Sequence, residues 1–526
     1  MIVADYLVIG AGSAGAAVAN RLSESGRWTV LLLEAGGPDT EPDIHIPARF
    51  SDLFHSEVDW DYVTVPQPGL NGRREYVPRG KVFGGTSSMN AMVYQRGHPS
   101  DYDRWAAGGN SGWAYRDVLP YFRKMQHQER GESAHHGVGG PINIADLQDP
   151  SPLSRTFVAA ALELGFCHNA DFNDGEQEGF GLYQVTQKEG QRHSSAVGYL
   201  QPALKRDNFS ALPFAQVTKL RFAQKRCVGV SYLHEGAERQ ARATMEVVVC
   251  GGAINSPQLL MLSGIGPRDH LLESGVEVVQ DLPGVGQNLV DHMQVPVAFH
   301  CKEPISLVGK EAPEQRELYR ESRMGLLTSN LGEAGGFVRL DPGAPAPELQ
   351  YHFGPDWFIR HGFETPDGHG FTILAGMVST QSVGELKLRS SDPLASPLID
   401  FACLDSDDDV QVLLAGIRLA REIASASAFD QYRGDEFLPG GHLTSDEDLV
   451  QYIRDFATTI YHPAGSCMMG NDRMAVLDER LRVKGIDGLR VADASIMPHI
   501  INANTNAPCM MIGEKAAAII LEDACR

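Results

Sequence analysis

Apolar residues follow two textures along this chain. Tyr6 to Ile9 is a short apolar run without alternation, which predicts a strand buried on both faces. Ala14, Ala17, Val18 and Leu22 then recur at helical spacing, and Trp28 to Leu33 predicts a second buried strand. Met245 to Cys250 is another such run, leading through glycines into a helix opened by Pro257. Gly488 to Ser495 predicts a last strand ending at Asp493, before a closing helix over Met510 to Ala524 with one apolar face. Between 291 and 455 the texture changes to alternation. Val295 to His300, Glu348 to Phe353, Phe371 to Val378 and Glu385 to Leu388 predict an antiparallel sheet, accompanied by a helix near 408–425. The intervening stretches read as an irregular cover at 38–75, an amphipathic helix and His/Gly-rich loop within 101–150, a helix at 151–166 and turns at 167–195.

These elements predict an α/β chain with a Rossmann-like, doubly wound domain assembled from residues 1–149, 196–290 and 456–526. Into it is inserted an α+β substrate domain of 150–195 and 291–455, built on the antiparallel sheet. The glycine turn after the first strand, Gly10-Ala11-Gly12-Ser13-Ala14-Gly15, is a GxGxxG, and Glu34 ends the second strand 24 residues beyond Gly10. Strand, glycine turn, helix, strand and acidic residue together form a dinucleotide fingerprint. Gly10 permits the turn, Gly12 admits a pyrophosphate and Gly15 brings helix against sheet. The helix N-terminus offers free N–H groups to phosphate, and Glu34 can accept from ribose hydroxyls.

Composition narrows the partners. At 526 residues the chain exceeds one core, and a net charge of −22 argues against nucleic acid and against an anionic membrane surface. The eight cysteines are scattered, with no CxxC pair and no cysteine/histidine cluster at metal spacing, so no metal is expected and the thiols read as reduced. No apolar run approaches the ~20 residues that span a bilayer. With the first strand beginning so near Met1, no signal peptide is expected, and a cytoplasmic location is.

Two further stretches carry chemistry. Gly80 to Tyr94 holds paired glycines, three hydroxyl residues and Asn90, a loop able to run close to a large flat ligand. From the fingerprint, from Gly80 to Asp103, from Gly252 to Gly266 (GAINSPQLLMLSGIG), and from the C-terminal YHPAGSC and NANTNAPCMMIGEKAA, the chain resembles the glucose–methanol–choline oxidoreductases over essentially its whole length. The resemblance implies FAD and oxidation of an alcohol by hydride transfer to flavin N5. By position it implies His462 as the base and Asn504 as the group that orients the substrate oxygen. A base of near-neutral pKa at the hydroxyl suits hydride loss from the neighbouring carbon, and an uncharged amide suits the oxygen.

The same matching implies a cofactor set of Gly10, Gly12, Ser13, Ala14, Gly15, Glu34, Ala35, Val82, Gly85, Asn90, Ala91, Met92, Val93, Val217, Asp493, Ala494, Asn504 and Asn506. Met89 to Val93 should line the flavin, the Val217 backbone should touch adenine, and Asp493 and Ala494 should lie near the ribityl–pyrophosphate part. Choline-oxidising members carry a flavin-linked histidine at the position of Met89, so non-covalent FAD is expected here. They also carry glutamate at the position of Gln294, so an uncharged primary alcohol is expected instead of choline, in a cavity shaped by Tyr461, Gln294 and Trp357, with Phe353 and Phe358 nearby. Choline dehydrogenase or oxidase is the alternative, and a non-redox lyase or photodecarboxylase on the same fold is more distant. The electron acceptor is open among dioxygen, a quinone and a carrier protein.

Overall fold

The first apolar run ends a strand, Ile2–Ile9, at the centre of a seven-stranded sheet in a computed structural model that describes residues 1–525. Its neighbours are Val30–Leu33 on one side and Ala237–Val249 on the other, both parallel to it. Phe209–Leu212 and Leu489–Val491 extend the parallel part outward. Ala237–Val249 does double duty. Its last residues belong to the parallel sheet, while its first half pairs antiparallel with Arg226–His234, which in turn pairs with Ala215–Ala223. This meander is partly exposed along its outer strands, with a buried run at 229–232 in the middle one, and was not expected from the apolar run at 245–250 alone.

The helix Ser13–Ser23 is packed against this sheet more closely than a side chain would allow. A Cβ on Gly15 would stand 1.9 Å from the Gly10 carbonyl oxygen and 3.0 Å from Cys250 Cβ. On its other side runs Asn506–Ala524, whose Gly513 comes equally close to Ala14. That last helix begins at Asn506, not Met510, and is buried on nearly every side along most of its length, because it is sandwiched between Ser13–Ser23 and Tyr115–Met125. The helix after residue 250 is Gly252–Leu262, with Pro257 inside it. Proline deprives the Ala253 carbonyl of its helical donor, and Ser466 Oγ takes that place at 2.5 Å.

The second sheet is antiparallel, in the order Arg433–Leu438, Met293–Cys301, Gly370–Met377, Leu349–Gly354, Ala334–Val338, Gly179–Leu182, with Thr458–Thr459 also paired to Met293–Cys301. Gly179–Leu182 lies where turns were expected, and Gly384–Lys387 belongs to a separate three-stranded sheet. The three central strands are buried on both faces, yet the alternation has meaning. Val295, Val297, Phe299, Phe371, Ile373, Tyr351 and Phe353 join the main core, with Asp407–Ser425 and Pro152–Glu163 packed on the sheet. The alternate residues Gln294, Leu374 and His352 line a cavity between the two sheets. The roof is therefore apolar above and partly polar below.

The close approach at Gly15 is testable. Gly15→Ala is expected to cost about 1–3 kcal/mol of stability by overpacking and to lower bound FAD. Thermal unfolding and the absorbance of cofactor released on denaturation measure the two, and wild-type values for both would refute the reading.

Candidate active site

The cavity begins at the glycine turn. Gly10, Gly12, Ser13 and Ala14 line it, and the helix starting at Ser13 has no side-chain cap, so its first N–H groups are free to face a ligand. The N-terminus of Asn506–Ala524 is uncapped in the same way and meets it, with Ser13 Oγ donating to Asn506 Oδ1 at 2.7 Å. Glu34 and Ala35 lie on the wall, followed by Ala215, Gln216 and Val217. Glu34 accepts from the amides of Ala11 (2.7 Å) and Gly36 (2.9 Å), and burial pushes its carboxyl up.

Along the middle of the cavity run Gly85, Thr86 and Met89 to Val93. A Cβ on Gly85 would lie 2.7 Å from Gly12 Cα, so two bare backbones meet where a pyrophosphate would pass. Ala494 and Asn506 are also on the wall. Asp493 reaches it too, but its carboxylate is turned inward. It accepts from Gly252 N, Ser256 Oγ and Ser495 N at 2.9, 2.6 and 2.8 Å, fastening the 252–262 helix to the strand before it.

Four expected residues lie off the wall. Gly15 and Val82 are behind it, the first as a helix–sheet contact and the second buried in a cluster with Phe50 and Met89. Trp357 packs against Ala298 and Ile359, with its indole N–H donating to Gly368 O at 2.9 Å, and faces away from the cavity. Phe353 joins the opposite core face. Its neighbour Phe358 does line the cavity.

At the far end His462 and Asn504 meet, as the resemblance implies. Asn504 Nδ2 stands 3.2 Å from His462 Nε2, while Asn504 Oδ1 accepts from Gln350 Nε2 at 2.9 Å. This fixes the amide, so Nδ2 faces an unprotonated Nε2. The His462 proton then sits on Nδ1, 3.1 Å from His292 Nδ1. Burial, aided by His292, His352 and Arg79, holds the His462 imidazole well below its usual range, and burial likewise pushes His292 to about 3 and His352 to about 4. The cluster is neutral.

Sequence reasoning missed most of this support. Asp291 is buried and accepts from the backbone amides of His292 and His462, each at 2.8 Å, and from the Thr459 hydroxyl. Burial pushes it up to about 6, against the stabilising pull of these donors and of Arg79. The Arg79 guanidinium, on the cavity wall, donates to Tyr461 O at 2.6 Å. Tyr461 itself has a left-handed backbone (φ 69°) and donates its hydroxyl toward His361, which is paired with Glu75. One signal was readable: His292 and Gln294, then Gln350 and His352, are polar pairs two apart in apolar strands, which puts each pair on one face.

A dinucleotide cradle thus opens onto a chamber headed by a neutral imidazole and an amide. Comparison with known proteins shows this to be the site of an FAD-dependent oxidoreductase acting on CH–OH donors. Family models described as GMC oxidoreductase match residues 4–294 and 380–513. The chain is 43% identical to an alcohol dehydrogenase [acceptor] of Pseudomonas putida and 44% identical to an oxygen-dependent choline dehydrogenase of Sinorhizobium fredii, in each case over 98% of this chain and 95% of the relative. Among solved structures, pyridoxine 4-oxidase from Mesorbium loti aligns with TM-score 0.91 at 31% identity over 98% of both chains. A formate oxidase aligns with TM-score 0.93 at 29% identity, over 99% of this chain and 98% of the other. The chain belongs to the GMC oxidoreductase family. No helix among the described residues is long and apolar enough to cross a membrane.

The depressed histidines couple folding to pH. A histidine at about 4 when folded and 6.5 when unfolded is fully stabilising above 6.5, and that contribution is lost as pH falls toward 4. His352→Gln is expected to make acid destabilisation shallower by up to about 3 kcal/mol at pH 4. Denaturant midpoints across that range test it, and parallel wild-type and variant curves would contradict it.

Proposed function

We propose that the chain oxidises an uncharged primary alcohol to its aldehyde, with non-covalent FAD as the oxidant and His462 as the base. The observation that carries this reading is the character of the chamber beside His462. Phe50, Phe54, Met89, Leu331, Phe358, Leu374, Ile460 and Tyr461 line it. The two carboxylates on the cavity wall, Glu34 and Asp493, are bound into the nucleotide end. The charged side chain on the wall at the chamber end is the cation Arg79, which faces Asp291 and Asp59 behind it. A quaternary ammonium would meet a like charge on the wall, with the nearby carboxylates already engaged by Arg79 and by backbone amides, whereas an alkyl or aryl group would gain by burial.

His462 Nε2 and Asn504 Nδ2 form a ready bracket for a hydroxyl. Inserted between them, the hydroxyl donates to Nε2 and its oxygen accepts from Nδ2. His462 then takes the proton, and the resulting imidazolium keeps its Nδ1–H bonded to His292. Asp291 holds the His462 backbone and Gln350 holds Asn504, so neither group must reorganise as charge develops. FAD, when bound, supplies the acceptor for the hydride that leaves the carbinol carbon. Non-covalent binding rests on the loop 85–93, where Met89 stands and no histidine, cysteine or tyrosine is present. Choline remains the second reading, supported by a choline dehydrogenase relative as similar as the alcohol dehydrogenase.

Anaerobic mixing of the yellow holoenzyme with aliphatic, aromatic and quaternary-ammonium alcohols tests the substrate. Uncharged primary alcohols are expected to bleach the flavin and choline is not; rapid bleaching by choline alone would overturn the reading. His462→Gln is expected to slow bleaching by about 10²–10⁴-fold, and an unchanged rate would remove His462 as base. Admitting air afterwards shows whether dioxygen serves as acceptor. Separately, Gln294→Glu should bring a carboxylate into the chamber, raising kcat/KM for choline and lowering it for apolar alcohols. The opposite ranking would show that Gln294 does not select for charge.

A further inference from the structure

Behind the loop that lines the middle of the cavity lies a charge that the chemistry above does not use. Arg192 is 2% exposed. Its Nε donates to Ile44 O at 2.6 Å, and its Nη1 donates to Ser87 O, Asn90 O and Asn90 Oδ1 at 3.2, 2.6 and 2.9 Å. Its Nη2 finds no partner among the described residues. Every acceptor is neutral, and burial alone acts on the guanidinium, pushing it down to about 9.

Arg96, 1% exposed, also rests on uncharged acceptors, Tyr94 Oη, His135 O and Gln126 Oε1, but it does not stand behind this cavity wall. The remaining well-covered arginines are built differently. Arg490, equally buried, is bonded to Glu246 and Asp523, and Arg21 is bonded to Glu514. Arg79 faces Asp291 and Asp59. Arg192 is a buried cation with no counter-anion, which is costly unless something else compensates it. Asn90, which takes two of its bonds, is on the cavity wall, so Arg192 stands one residue behind that wall. At such a depth a charge acts across a short, dry path with little screening.

Resting on the reading that residues 85–93 run along the flavin ring, we propose that Arg192 is a positioning residue whose uncompensated charge raises the reduction potential of the bound FAD. The balance of the reaction supplies the missing anion. The alcohol loses a proton to His462 and a hydride to the ring, so the ring gains two electrons and one proton and carries one more negative charge than before. A fixed cation behind the loop stabilises that charged form over the oxidised one. The same guanidinium ties the loop to the covering segment through Ile44, so charge and position are held by one side chain.

Holoenzymes carrying R192M, R192Q and R192K separate charge from packing. Midpoint potentials are measured by anaerobic equilibration with reference dyes, and FAD content by release on denaturation. The uncharged variants are expected to shift the potential to more negative values, and R192K to stay near wild type. An unshifted potential in R192M or R192Q overturns the proposal. So does retention of FAD by R192K with complete loss by both uncharged variants, which would place the effect in binding the oxidised cofactor. N90A distinguishes the underlying reading. If N90A leaves both flavin spectrum and potential unchanged, the placement of the loop fails; if it moves them while R192M does not, the charge proposal alone fails.

Discussion

One buried carboxylate holds the two halves of the molecule in working relation. Asp291 ends the segment that leaves the nucleotide sheet and leads into the roof strand Met293–Cys301, and it grips the chain again at Thr459 and His462. His462 is thus fixed by its backbone as well as by its ring. A group bonded only through its side chain keeps several rotamers, whereas this one is tethered at both ends. The raised affinity of Asp291 for a proton is the cost of keeping a charge there. Arg79, bonded to the next carbonyl along at Tyr461, offsets part of it. Loss of this junction would disturb His292, His462 and the Thr459 strand pairing together.

The roof shows how one sheet serves two solvents. Its upper face is packed with stacked aromatics, Phe157 on Phe353 at 4.8 Å and Phe371 on Phe429 at 5.0 Å. Its lower face spends the same strands on glutamine and histidine. The aromatic layer makes the sheet rigid, and that rigidity gives the polar layer its geometry. Chamber specificity therefore resides on few positions, and these can vary without touching the core above them.

How much of this was legible from residue order depends on range. Local patterns located the parallel strands around Ile9, Leu33 and Val249, because fully buried strands with glycine turns leave an unbroken apolar run. The alternation at Val295–His300, Glu348–Phe353 and Phe371–Val378 located the roof. Gly179–Leu182 escaped notice since a four-residue strand rich in glycine has no periodicity to detect. Trp357 was misplaced because an aromatic residue at a strand end can turn to either side, and packing against Ala298 decided it. Motif singled out His462 and Asn504, whose side chains the fold brings together, but not their company: His352, Gln350, Asp291 and Arg79 come from distant stretches whose convergence is a property of the fold. The inward turn of the Asp493 carboxylate is of the same kind, fixed by Ser256 and Gly252 far upstream.

The strand Ala237–Val249, shared between a meander and a parallel sheet, has a consequence for how the chain is born. As it leaves the ribosome, Ile2–Ile9 can pair at once with Val30–Leu33, but its other edge stays open until residues 241–249 have emerged. The strand Leu489–Val491 and the helix Asn506–Ala524 that covers Ser13–Ser23 come only after the roof strands between them have been made. The meander at 215–249 is local and can form early, holding the long strand straight while its parallel half waits. The nascent chain thus carries an unfinished sheet while the roof is being made, and the cavity wall closes only once Asn504 and Asn506 have emerged.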